Sequence, residues 1–94
     1  MNNKYDLSKF ISTPTIESIS NDLVKRVKER RKELKLTQKE LALRSNVSYA
    51  SLRRFESSGE ISLSSLLKVA QALGTLDEFN NLFSNEIITT LKDY

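Results

Sequence analysis

Two adjacent arginines, Arg53 and Arg54, lie in a segment whose side chains could contact nucleic acid. A guanidinium group forks onto guanine O6 and N7 or onto a phosphate, and it stays charged at physiological pH. Tyr49 and Ala50 precede the pair and offer a hydroxyl-bearing ring and a methyl group, which suit contact with a thymine methyl. At about 100° per residue of a helix, these positions point away from the apolar residues of the segment. The alternative is that the two arginines belong to a solvent-exposed helix face that contacts no nucleic acid.

Composition excludes several other kinds of chemistry. The chain has no Cys and no His, so it offers no disulfide, no thiolate or imidazole ligand, and neither of the commonest catalytic side chains. Its only glycines, Gly59 and Gly74, cannot form a glycine-rich phosphate loop. We therefore expect no enzyme activity, no metal and no cofactor.

The charge is concentrated in the middle of the chain. The whole sequence has a net charge of +3, but residues 21–59 hold eleven basic and five acidic side chains, a local net charge of +6. The remaining residues have a net charge of −3. A local positive surface of this kind is what attraction to a phosphate backbone requires.

The length of 94 residues suits a single domain. Residues 1–10 contain no apolar stretch typical of a secretory signal, and the longest apolar run, residues 41–43, is far too short to span a membrane. We expect a soluble, cytoplasmic protein. An amphipathic helix over 23–35 on an anionic membrane is disfavoured, because its apolar face lacks aromatic residues and is interrupted by Arg30.

A long first helix is predicted over residues 14–34. The Thr13-Pro14 pair suits its N-cap and first helical position, and a break near Ser20 is the main alternative. Apolar residues recur at helical spacing along this segment and form its expected core face: Ile16, Ile19, Leu23, Val27 and Leu34.

A short second helix is predicted over about 38–45. Thr37 and Glu40 have the spacing of a capping box, in which each side chain bonds the backbone N–H of the other residue. Asn46 follows, and Asn tolerates the left-handed backbone of a tight turn.

A third helix is predicted over about 48–57, with Ser48 as its N-cap. Ser48, Leu52 and Phe55 share one side of this helix, which we expect to face the core. Two short helices joined by only a few residues are typical of helix-turn-helix organisation.

Two further helices are predicted in the last third of the chain. Ser62 could cap the fourth and Gly74 end it, with an apolar stripe of Leu63, Leu66, Leu67, Ala70 and Leu73. A second capping box at Thr75 and Glu78 predicts the fifth, with four inward-facing residues: Leu76, Phe79, Leu82 and Phe83.

The predicted domain organisation follows from these elements. Residues 1–13 form an N-terminal tail, 14–84 a helix-turn-helix domain, and 85–94 a C-terminal tail. The β-branched cluster of that tail, Ile87 to Leu91, breaks the helical pattern and is a possible dimerisation segment.

Four motifs follow one another along the chain: residues 36–42 at the second helix, 46–48 at the turn, 52–56 in the third helix and 61–74 at the fourth. Together they resemble the Cro/cI (Xre) repressor family. The resemblance implies an all-α, five-helix, lambda-repressor-like domain with a DNA-reading third helix. Within the family, the sequence is most similar to the HipB-like antitoxins, on the motifs SLRRFE, GEISL and DEF with LF.

The resemblance assigns base contact to five positions: Ser48, Tyr49, Ala50, Arg53 and Arg54. Gln38, at the start of the second helix, suits a phosphate oxygen, the alternative being that it is only a good helix former. The basic run over 25–32 is expected to steer association rather than to touch DNA at most positions. One position departs from the family pattern, since Glu60 stands where the loop often carries Lys or Arg.

Arg31 and Glu56 both interrupt apolar faces. Arg31 lies between Val27 and Leu34 on the first helix, and Glu56 lies about 40° from the core-facing Leu52. We predict that they form a buried ion pair, as the matching residues do in phage repressors. The alternative is that Arg31 faces phosphate and Glu56 is solvated.

The predicted function is sequence-specific repression by a homodimer on a near-palindromic DNA operator. The alternative is an antitoxin that represses its own operon and also binds a kinase-like, HipA-like toxin. The acidic C-terminal third is the feature that favours a protein partner.

Overall fold

The computed structural model describes residues 13–86, which form four α-helices and one 3-10 helix with no strand. They are α1 (Ile16–Glu33), α2 (Gln38–Ser45), α3 (Tyr49–Ser58), α4 (Leu63–Ala72) and the 3-10 helix η1 (Leu76–Asn81). The all-helical, five-helix prediction is confirmed. The predictions made for residues 1–12 and for the Ile87 to Leu91 cluster lie outside the described residues.

The first helix begins at a different cap from the predicted one. Thr15 is the N-cap: its hydroxyl accepts from the Ser18 N–H at 2.9 Å, and the Ser18 hydroxyl accepts from the Thr15 N–H at 2.9 Å. The Thr13-Pro14 prediction is therefore wrong by two residues, because Thr15 and Ser18 can satisfy each other's backbone donors. The helix runs unbroken through Ser20, so the alternative of a break there is also wrong.

The predicted capping box and turn of α2 are confirmed. The Thr37 hydroxyl accepts from the Glu40 N–H at 3.1 Å, and the Glu40 carboxylate accepts from the Thr37 N–H at 2.8 Å. The hydrogen bond from the Thr37 backbone N–H to the Glu40 carboxylate is the main cause that lowers the pKa of Glu40. A hydrogen bond between the Thr37 side chain and Glu40 lowers it further. Asn46 ends the helix in the left-handed conformation, with φ 58° and ψ 39°.

The core is assembled mainly around α2, α3 and α4. Its largest fully buried side chains are Phe55, Leu41, Leu52 and Val69. Leu52 and Phe55 face the core as predicted, whereas Ser48 is an exposed N-cap whose hydroxyl accepts from the Ser51 N–H. Ser48 is not a core residue, because a cap residue precedes the helix and does not share its periodicity.

Helical periodicity overestimated the buried part of α1. Val27 is buried and Leu23 packs against the core, but Ile16, Ile19 and Leu34 are exposed. The part of this 18-residue helix that packs on the core runs from Leu23 to Arg31, so the apolar residues of the predicted stripe before and after it stay exposed.

Two predictions for the C-terminal part of the fold are corrected. On α4, Leu63 is exposed and Val69, absent from the predicted stripe, is fully buried. Thr75 makes no capping hydrogen bond: its backbone, with φ −124° and ψ 16°, is not in the extended conformation of a typical N-cap. Its hydroxyl donates to the Ala70 carbonyl at 3.3 Å, and the segment that follows is the 3-10 helix η1.

The inward orientation predicted for the fifth helix is also mostly wrong. Phe79 is half-buried, whereas Leu76, Leu82 and Phe83 are exposed. The reason is that η1 ends at Asn81 and the backbone becomes extended at Leu82, so helical spacing no longer applies to the last two residues.

Candidate nucleic-acid interface

The third helix presents one face to the core and the opposite face to solvent. Leu52 and Phe55 are fully buried, while Tyr49, Ala50, Arg53 and Arg54 are exposed. Ser48 caps the helix at its N-terminus, and Gly59 ends it in the left-handed conformation. The exposed face therefore consists of the side chains that suit base and phosphate contact.

A cleft of about 630 Å³ runs beside this exposed face. Lys28 of α1 and Gln38 of α2 form one part of its wall, and five residues of α3 form the rest: Ala50, Arg53, Arg54, Glu56 and Ser57. The structure thus brings Gln38 together with Ala50, Arg53 and Arg54. Lys28 is the residue of the basic run that lines this cleft, a distinction that the sequence pattern of the run does not make.

Two cationic side chains lie over the ring of Tyr49. The Arg53 guanidinium carbon and the Lys39 ammonium nitrogen each lie 5.4 Å from the ring centroid. Arg53 is one turn further along α3, so this contact follows from helical spacing. Lys39 belongs to α2, and its contribution to the site was not predicted. A cation over an aromatic face is attracted while keeping its full charge.

Arg54 has a different partner. Its Nη2 donates to a carboxylate oxygen of Glu60, in the loop after α3, and both side chains are mostly exposed. The cationic character of the exposed face is therefore uneven, because one arginine is stacked on a neutral ring and the other is paired with an anion.

Glu56 accepts three hydrogen bonds beneath this surface. Arg31 donates to it from Nε at 2.9 Å and from Nη2 at 3.1 Å, and the amide nitrogen of Gln38 donates at 2.8 Å. The Arg31 Nη1 also donates to the Leu36 carbonyl at 2.9 Å. Arg31 and Glu56 are both buried, and no buried side-chain polar atom of residues 13–86 lacks a partner. The hydrogen bonds of Arg31 and Glu56 therefore connect α1, the α1–α2 link, α2 and α3 at one point.

Comparison with known proteins identifies the family. A family model described as helix-turn-helix matches residues 27–79, more than half of the chain. The matched region contains α2, α3 and α4 and the last two turns of α1. The chain belongs to the Cro/cI (Xre)-type helix-turn-helix family. No curated protein and no solved structure matches it at a significant level.

Membership of the helix-turn-helix family makes this a DNA-binding domain of a regulatory kind, and such domains are not typically enzymes. The α2–turn–α3 unit is the helix-turn-helix itself. In this motif the second helix, here α3, is the one that generally enters the major groove. Among residues 13–86, no helix is long and apolar enough to cross a membrane.

Besides Arg54, Gln38 and Ser48 are predicted DNA-contacting residues whose side chains already make hydrogen bonds within the fold. The Gln38 amide nitrogen donates to Glu56, which leaves its second N–H and its carbonyl oxygen for other partners. The Ser48 hydroxyl accepts from the Ser51 N–H at 3.0 Å and donates to the Ser51 hydroxyl at 2.9 Å. Contact of either side chain with DNA would have to coexist with these bonds or replace them.

Proposed function

We propose that this helix-turn-helix protein is a sequence-specific transcriptional repressor that binds a near-palindromic operator as a homodimer. The observation that carries the proposal is the two-sided recognition helix, with Leu52 and Phe55 fully buried and Arg53 and Arg54 exposed. A helix anchored in this way can enter the major groove without losing any core contact. A bound repressor would then block access to the promoter.

The proposed base contacts come from the exposed face of α3. Arg53 is held over Tyr49 near the N-terminal end of the helix, the end that reaches base edges in this kind of complex. Its guanidinium can fork onto guanine, while Tyr49 and Ala50 can touch a thymine methyl. Gln38 and Lys28 line the same cleft as Arg53 and Arg54, and we infer that they contact phosphates beside the groove.

The homodimer follows from specificity and from an exposed apolar surface. One recognition helix makes only a few base contacts, so selection among many genomic sites generally needs two half-sites. Leu82 is exposed and Phe83 is fully exposed. They directly follow η1, whose Leu76 and Phe79 line a hollow of about 650 Å³ together with Leu67. Apolar side chains grouped in this way favour contact with a second copy of the chain.

The first test is a binding selection on random duplexes, followed by measurement of Arg53→Ala and Arg54→Ala on the selected site. The selected site should contain two inverted half-sites whose centres lie about 34 Å apart. Loss of an arginine that forks onto guanine should weaken binding by about 1–3 kcal/mol and relax the preference at one base pair. If both variants keep the full operator preference, α3 is not the recognition element.

Lys25→Ala and Lys28→Ala are the matched charge controls on α1. Lys28 lines the cleft and Lys25 does not. Lys28→Ala should weaken binding to any duplex and reduce the salt slope by about one, with no change in base preference. Lys25→Ala should have a smaller effect of the same kind.

The dimer is tested separately by sedimentation on the selected operator. Two chains should bind per operator at saturation, and Phe83→Ser should weaken the association because it removes an exposed apolar side chain. Asn81→Ser, at an exposed position that does not line the hollow, is the polar control. One chain per operator at saturation would rule out the dimer.

The antitoxin alternative stays a prediction. A large open reading frame immediately adjacent to the gene, together with capture of its product by the wild-type chain, would support it. The Arg53→Ala variant should then capture the same product, because the partner is expected to bind away from α3.

A further inference from the structure

The ion pair between Arg54 and Glu60 joins the recognition helix to the loop that follows it. Arg54 is an exposed residue of the side of α3 that lines the cleft, and its Nη2 donates to Glu60. Glu60 is the second residue after the end of α3, in the loop that leads to α4. The two side chains are 69 and 63% exposed, so water and salt reach both of them.

The backbone around Gly59 brings these two residues together. Gly59 has φ 82°, so the chain reverses directly after Ser58 and returns toward the last turn of α3. The Ser58 hydroxyl donates to the Arg54 carbonyl at 2.7 Å and accepts from the Glu60 N–H at 3.3 Å. A Cβ atom on Gly59 would lie 2.4 Å from the Ser20 hydroxyl oxygen, so the loop is also packed closely against α1. The place of Glu60 beside Arg54 is thus set by the fold.

The neighbouring arginine provides the contrast. Arg53 stacks on the uncharged Tyr49 ring and keeps its net positive charge for DNA. The charge of Arg54 is compensated by a carboxylate on the same surface. The two adjacent arginines therefore offer different amounts of net charge to a phosphate backbone.

We propose that Glu60 is a specificity-determining residue that withholds the charge of Arg54 from non-cognate DNA. Non-specific binding depends on the number of phosphates that the protein neutralises, and a cation already paired with Glu60 adds little to that number. Inside the major groove Arg54 would face base edges, and a guanine there offers two acceptors in the fork geometry of a guanidinium. Other bases lack this pair of acceptors, so on random DNA no base edge replaces the Glu60 carboxylate in the same way. The inference rests on the proposed function, since it requires base reading by α3.

The test is the isosteric variant Glu60→Gln, measured on the selected operator and on a random-sequence duplex over a range of salt concentrations. Affinity for the random duplex should rise by roughly two- to tenfold, and its salt slope should steepen by about one. Operator affinity should rise less, so the ratio of operator to random affinity should fall. The melting temperature of the free protein should stay unchanged.

Two further variants separate the proposed mechanism from a simple change of net charge. Glu33→Gln removes the same charge from an exposed arginine–glutamate pair on α1, Arg30–Glu33 at 3.4 Å, which does not line the cleft. It should leave the affinity ratio unchanged. In an Arg54→Gln background, Glu60→Gln should no longer change the ratio of operator to random affinity, because no arginine is then paired with residue 60.

Each failure has a separate meaning. If the wild-type chain prefers no selected duplex over random DNA, the proposed function is wrong and this inference fails with it. If the wild-type chain discriminates but Glu60→Gln leaves the ratio unchanged or raises it, only the inference is overturned. Persistence of the Glu60→Gln effect in the Arg54→Gln background also overturns it, because Glu60 would then act directly on phosphates.

Discussion

Two arginine–glutamate pairs involve the recognition helix, and they differ chiefly in their surroundings. Arg31 and Glu56 have side chains that are 10 and 2% exposed, whereas those of Arg54 and Glu60 are 69 and 63% exposed. Glu56 accepts three hydrogen bonds from side chains of two other helices. Glu60 is bonded by a single arginine nitrogen from the helix that precedes it.

The difference shows that burial, not the chemical groups, sets the role of an ion pair. In the core, a lone carboxylate or guanidinium would lose its water without gaining a partner, so the two charges of the inner pair depend on each other. At the surface, water and counterions replace either partner at little cost. We therefore expect the inner pair to govern folding and the outer pair to govern binding.

The largest effect should come from breaking the inner pair. Glu56→Ala leaves Arg31 buried and unpaired, and it should lower the free energy of unfolding by roughly 3–5 kcal/mol. Denaturant unfolding followed by circular dichroism measures this. The double variant Arg31→Met with Glu56→Leu removes both charges and should recover most of the loss, because apolar residues of similar size can pack there. A Glu56→Ala variant of unchanged stability and higher DNA affinity would show that this carboxylate faces DNA.

A smaller effect should come from the third donor to Glu56. Gln38→Ala removes the 2.8 Å hydrogen bond but keeps a good helix former at the start of α2, so it should lower the free energy of unfolding by about 1–2 kcal/mol. Gln71→Ala, at an exposed position of α4, is the matched control and should change stability much less. Equal effects of the two substitutions would mean that Gln38 does not support the inner pair.

The smallest effect on stability should come from breaking the outer pair. A double-mutant cycle of Arg54→Ala and Glu60→Ala should give a coupling energy below about 1 kcal/mol, and added salt should reduce it further. The exposed Arg30–Glu33 pair is the reference, and its coupling energy should be similarly small and similarly reduced by salt. A coupling energy as large as that of the inner pair would contradict the distinction between the two.

Local signals explain what could be predicted about the fold. The Thr37–Glu40 box, the Asn46 turn and the Ser48 and Ser62 caps each depend on residues within about four positions. Periodicity likewise marked Leu52 and Phe55 as core residues, and it marked Arg31 and Glu56 as charges on apolar faces. The same rules went wrong at Thr75, whose backbone is not in the extended conformation of a typical N-cap and whose hydroxyl makes no capping hydrogen bond.

The sequence by itself determined the helix order, the turn of the helix-turn-helix and the exposed arginines of α3, because nearby residues and helical spacing carry that information. Only the tertiary structure decided how far α1 reaches the core, and that Phe83 lies in solvent. It also decided which partner each charged side chain takes, from Gln38 on Glu56 to Glu60 on Arg54. These contacts depend on the angles at which helices and loops meet, and no local pattern of residues specifies those angles.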